Sequence, residues 1–83
     1  MRLVYFSWVR EAIGAGEELL DAPPDVATVD ALIDWLATTS AGHARAFADR
    51  GRLRAAVDQV FVELDASIEG AREIAVFPPV TGG

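Results

Sequence analysis

Along residues 2–9, RLVYFSWV, apolar side chains fall on both parities: Leu3, Tyr5 and Val9 share one with Ser7, and Val4, Phe6 and Trp8 share the other. The β-branched and aromatic content predicts a strand over 2–9. Its two apolar faces predict a central strand covered on both sides. Gly14 and Gly16 predict a turn, and residues 17–21, EELLD, a short second strand joined to the first as a hairpin. Pro23 and Pro24 then break regularity. Thr28 is a strong helix N-cap, and Val29, Leu32, Ile33 and Leu36 recur at i, i+3, i+4 and i+7, so the chain from Thr28 onward predicts a helix with one buried stripe. Asp30 and Asp34 lie off that stripe, Asp30 where the helix dipole favours an acid, and Trp35 lies at the stripe's border.

A second helical stretch is expected over residues 43–50, with Ala44 and Phe47 inward and Gly51 ending it. Residues 55–64, AAVDQVFVEL, read as one or two strands, DASIEG as a turn-rich stretch, and 73–77, EIAVF, as a last strand stopped by Pro78, which cannot donate to a ladder. This order gives a mixed sheet packed on a helix, an α+β roll of the β-grasp kind. The first and last strands can pair in parallel at its centre. The expected core holds Leu3, Tyr5, Leu32, Ile33, Leu36 and Val62. Residues 1–83 are expected to form a single domain, with 78–83 as an extended tail.

Composition narrows the function. A hydrophobic share of 52% over 83 residues supports a packed globule, and exceeds what one small core hides, which points to a partner. The net charge of −6 opposes binding to phosphate backbones and anionic lipid, so neither nucleic acid nor membrane is an expected partner. No apolar run is long enough to span a bilayer and no signal peptide is read, so the expected location is cytoplasmic. Cysteine is absent, which removes thiol nucleophiles and cysteine metal sites. The single histidine, His43, is expected as a solvated helix residue, with no His-based triad or zinc site around it. All seven basic residues are arginine. Asp58 and Glu63 read as a solvated edge rather than an acid–base pair. By strand parity Phe6, Phe61 and Phe77 fall on the sheet face away from the helix, where an exposed aromatic patch marks an interface. Arg10, after the first strand, is a candidate for binding a partner's acid.

The tail, FPPVTGG, concentrates the chemistry. Pro78 and Pro79 favour an extended path, and Val80, Thr81, Gly82 and Gly83 beyond them reach about 13–14 Å when fully extended. Gly82 and Gly83 lack side chains, so the tip can enter a channel too narrow for any Cβ. A carboxylate delivered there is a poor electrophile until ATP turns it into an acyl-adenylate. A sulfur nucleophile can then displace AMP and leave a thiocarboxylate, a soft nucleophile able to deliver sulfur.

FPPVTGG, supported by AAVDQVFVELD and by VREAIG, resembles the small, sulfur-carrier subunits of molybdopterin synthase over nearly the whole chain. Val57-Asp58-Gln59 stands where that family commonly has V-N-Q, and Glu69-Gly70-Ala71-Arg72-Glu73 departs from its D-G-D-E. The resemblance implies a ubiquitin-like β-grasp fold with no cofactor of its own. It implies a ubiquitin-activating-like adenylyltransferase that uses ATP on Gly83, and a sulfur donor protein that completes the thiocarboxylate. It further implies a large synthase subunit, in a heterotetramer, that takes up the tail (Pro78, Pro79, Val80, Thr81, Gly82) and supplies the catalytic residues. Phe6, Phe61, Phe77 and Arg10 would face that partner, and sulfur would pass to cyclic pyranopterin monophosphate. A sulfur carrier for a thiamine-like pathway and a ubiquitin-like protein modifier are the alternatives.

Overall fold

The computed structural model describes residues 1–79. Five strands form one mixed sheet: β1 (Arg2–Tyr5), β2 (Glu17–Leu19), β3 (Arg54–Val57), β4 (Val60–Val62) and β5 (Glu73–Phe77), in the order β2-β1-β5-β3-β4. Three helices accompany them: α1 (Ser7–Ile13), α2 (Val29–Ala37) and α3 (Ala41–Ala46). As expected, β1 and β5 pair in parallel at the centre, with Leu3 beside Ile74 and Tyr5 beside Val76. The other pairings are antiparallel, so the sheet is mixed.

The helix after Thr28 forms as predicted. Thr28 Oγ1 accepts the Ala31 N–H at 3.1 Å, and Val29, Leu32, Ile33 and Leu36 are all fully buried. Each such side chain contributes roughly 1.5–3 kcal/mol of transfer free energy before entropy is counted. The stripe packs on Leu3, Tyr5, Ile74 and Val76, and Val62 borders this core only partly buried. Asp30 and Asp34 both accept from Arg50, which ties the short 3-10 turn at Arg50–Arg52 to α2.

Several expectations are corrected. The strand predicted over 2–9 ends at Tyr5: Phe6 is still extended, Ser7 turns at φ 55°, and the chain becomes α1. Val9, Ala12 and Ile13 sit at helical spacing and pack on the core, and Gly14 closes the helix at φ 91°. The link from β1 to β2 is therefore a helix-bearing excursion and not a tight hairpin, and β2 stops at Leu19, short of residue 21. Burial on both faces of β1 is also only half met, since Val4 is half-buried. The second helical stretch starts earlier than 43, because Ser40 caps it through the His43 N–H at 3.1 Å. That start turns His43, Ala46 and Phe47 inward and leaves Ala44 exposed, while Gly51 falls in the following 3-10 turn.

Residues 55–64 resolve into two strands joined at Asp58-Gln59, with φ 48° and 70°. Two left-handed residues in a two-residue hairpin are the mark of a type I′ turn, and Asp tolerates that region better than most residues.

Candidate functional site

The sheet register builds the site. Leu3, Tyr5, Ala55, Ile74 and Val76 face the core, so by alternation Val4, Ala56, Phe61, Ala75 and Phe77 share the opposite face. Val4, Ala75, Ala56 and Phe61 form one row across four strands. The two small alanines at its middle leave a shallow floor, and aromatic rings stand at its margins. Phe77 and Phe61 lie 5.6 Å apart between centroids, and Phe77 and Phe6 lie 6.4 Å apart edge to face. Phe61 is 77% exposed and Phe6 49%. The rings, with Ser7 and Pro78, line one apolar hollow.

Phe6 reaches this group by a route that strand parity does not describe. It is the extended residue that caps α1, and the turn at Ser7 swings it beside Phe77. The β5 strand runs through the sheet between β1 and β3: β1 ends one residue short of Phe77, with Tyr5 beside Val76, and Arg54 pairs with Phe77 on β3. Pro78 and Pro79 follow, half-buried. The tail thus leaves from the middle of the sheet beside the exposed rings. Val80, Thr81, Gly82 and Gly83 lie outside the described residues.

The structure does not bring Arg10 to the rings. Its guanidinium lies against Gly16, where an added Cβ would stand 3.3 Å from Nε. Arg54 is the basic residue at the tail root, lining a hollow with Phe61, Phe77 and Glu63. Arg52 sits 5.0 Å over the Trp8 ring. Asp58 is more than a solvated edge residue: its Oδ1 accepts the N–H groups of Arg72 and Glu73, both at 2.9 Å. It fastens the β3–β4 turn to the start of β5, so the two stretches that depart from the family pattern touch each other.

His43 is the largest departure from expectation. It is 6% exposed, with Nε2 2.8 Å from Glu18 Oε2 and Nδ1 2.6 Å from Ser40 Oγ. Tyr5 donates its hydroxyl to the same Glu18 oxygen at 2.7 Å. Burial alone would push the Glu18 carboxyl up, but the hydrogen bonds from His43 and Tyr5 outweigh it and hold the group below its ordinary value. Burial, then the contact with Glu18, pushes the Tyr5 phenol far above its usual range. One histidine therefore does enter a serine–histidine–carboxylate arrangement, contrary to the expectation of none. Glu18 is 25 residues away in sequence, which is why no local pattern announced it. Among the described residues no group of three His, Cys, Asp or Glu could hold a metal, and no helix is long and apolar enough to cross a membrane.

Residues 3–83 match the ThiS family. The chain is 39% identical over 83 residues to a molybdopterin synthase sulfur carrier subunit of Escherichia coli (strain K12), covering 100% of this chain and 99% of that protein. It is 34% identical, at the same coverage, to the molybdopterin synthase sulfur carrier subunit of Haemophilus influenzae. Among solved structures, SAMP1 from Haloferax volcanii superposes with a TM-score of 0.74 at 27% identity, covering 100% of this chain and 98% of that one.

Proposed function

The chain belongs to the ThiS family, among the molybdopterin synthase sulfur carrier subunits, and on that basis we propose that its C-terminal carboxylate is the working group. An adenylyltransferase joins Gly83 to AMP from ATP, and a sulfur donor protein displaces AMP to leave a thiocarboxylate. The tail then enters the synthase large subunit and gives its sulfur to cyclic pyranopterin monophosphate, returning as a carboxylate. The chain is the sulfur-donating part, and the catalytic residues belong to the large subunit. The observation that carries this reading is the tail root: a central strand, fixed by neighbours on both sides, ends at Phe77 and Pro78 within an exposed aromatic hollow. Such a root lets one apolar face dock while the residues beyond it extend into a partner.

The test is a reconstituted assay with adenylyltransferase, sulfur donor, large subunit and pterin precursor. Deleting Gly83 draws the carboxylate back by about 3.5 Å. A misplacement of even about 1 Å can cost about 100-fold in rate, so sulfur delivery is expected to vanish while the fold persists. Gly82→Val keeps the length but adds a branched side chain, with the same expected outcome. Normal molybdopterin yield from the deletion variant would refute the role of Gly83.

The likeness to SAMP1, a small archaeal modifier protein, favours a second reading, attachment to other proteins through the same carboxylate. Intact mass of chain purified from cells separates the two. Exchange of oxygen for sulfur adds about 16 Da, whereas an isopeptide adds a whole target.

A further inference from the structure

On the helix side of the sheet, Ser40 has a neighbourhood that its role as a helix cap does not require. As a cap it needs only an acceptor, and Oγ accepts the His43 N–H at 3.1 Å. That leaves the hydroxyl proton free, and the nearest base to it is Nδ1 of the same His43, at 2.6 Å. The Nε2 side of the ring faces the Glu18 carboxylate at 2.8 Å. A carboxylate only accepts, so Nε2 carries the proton and Nδ1 presents a lone pair to Ser40. Tyr5 fixes the Glu18 oxygen from the other side and stands edge-on to the imidazole, 6.1 Å between centroids. The base and its carboxylate are thus sheltered, while Ser40 itself is exposed.

We propose that Ser40, His43 and Glu18 form a nucleophile–base–carboxylate relay, and that Ser40 Oγ is an acceptor site for acyl groups presented as activated esters or mixed anhydrides. Oγ attacks the acyl carbon, the O–C bond forms, and the serine proton passes to His43 Nδ1. The bond to the leaving group breaks, and that group departs with its electron pair. The imidazolium, held by Glu18, returns its proton to water, and the product is an O-acylserine. Glu18 acts as a positioning residue, fixing the tautomer in which Nδ1 faces the hydroxyl. Ser40 is exposed, so the site accepts an acyl group without selecting a substrate by shape. The inference stands apart from the sulfur-carrier reading, because it concerns the core face of the sheet, opposite the aromatic rings, and does not use Gly83.

The chain is well suited to the test, since it has no lysine or cysteine side chain to compete for the reagent. The full-length protein is treated with p-nitrophenyl acetate, and acetylation is mapped by peptide mass spectrometry over time. Ser7 and Ser67, both exposed, serve as internal controls. Ser40 is expected to acetylate about a hundredfold faster than either, the lower end of the range that a positioned base supplies. Ser40→Asn keeps a cap but no nucleophile and should lose that product alone. His43→Ala should remove the excess rate, and added imidazole should restore it, which a purely structural histidine would not permit. Glu18→Gln should slow acetylation without abolishing it. Equal labelling of the three serines in the wild-type chain, which needs no variant to fold, overturns the proposal. So does an undiminished Ser40 rate in folded His43→Ala.

Discussion

Truncating Phe61 separates folding from docking more cleanly than any other change on the aromatic face. The ring is 77% exposed, and its aromatic neighbour is Phe77 at 5.6 Å. A fully buried phenylalanine is worth roughly 1.5–3 kcal/mol, so the covered quarter of this one contributes about 0.5 kcal/mol to the fold. For a domain of this size that is a fall in Tm of about 2–4 °C. A partner seated on the face would bury the rest, worth about 2 kcal/mol, or roughly thirtyfold in affinity. Phe61→Ala should therefore melt almost normally and bind the synthase large subunit about thirty times more weakly in calorimetric titration. Leu19→Ala is the matched control. Leu19 is 80% exposed on β2, the strand at the other edge of the sheet, so its loss should leave affinity within about twofold. Equal weakening by both variants would mean that diffuse apolar area, and not this face, drives docking. No weakening by either would remove the face from the interface.

Other consequences follow from the interior. The Glu18 carboxyl titrates below its unfolded value, so the unfolded chain takes up that proton first as pH falls. Its stabilising contribution is complete above the unfolded value, near 4.3, and is lost as pH drops through the folded one. A Tm-against-pH series should show wild type losing more stability than Glu18→Gln over that acid window, and parallel curves would contradict it. Gly42 packs so closely on α1 that an added Cβ would lie 2.5 Å from the Ala12 carbonyl oxygen. Gly42→Ala should thus cost about 1–3 kcal/mol in urea unfolding, the usual range for overpacking against an unyielding neighbour. Thr28→Ala, which removes the cap on α2, should cost about 1 kcal/mol by the same measurement.

The legible part of this fold was whatever local chemistry over-determines. Thr28 and the stripe from Val29 to Leu36 agree in cap, spacing and apolar content, so only a helix satisfies them. EIAVF before Pro78 was equally constrained. RLVYFSWV was not, because a segment apolar on both parities fits a strand and a helix alike. What decides it is the break at Ser7, together with the Val9, Ala12 and Ile13 spacing that ends at Gly14, a signal present in the sequence but masked by the alternating residues before it. His43 illustrates a different limit. Its burial on α3 depends on Glu18 arriving from β2, and no window of sequence contains both.

Phe6 shows how a correct placement can follow from a wrong local premise. Strand parity put it on the open face as the continuation of β1, yet it lies there because β1 has ended. Its position depends on the turn at Ser7, whereas Phe61 and Phe77 are set by ladder register. The three rings should therefore respond differently to backbone change. Ser7 sits at φ 55°, a region that glycine enters without strain and β-branched residues strongly avoid. Ser7→Gly should keep all three rings together and leave stability within about 1 kcal/mol. Ser7→Val should displace Phe6 alone, leaving the Phe61–Phe77 pair in place. Ring-to-ring nuclear Overhauser contacts report this directly: loss of Phe6–Phe77 with retention of Phe61–Phe77 is the expected result. Simultaneous loss of both would show that the aromatic face is one cooperative unit, and the division between turn-set and register-set rings would be wrong.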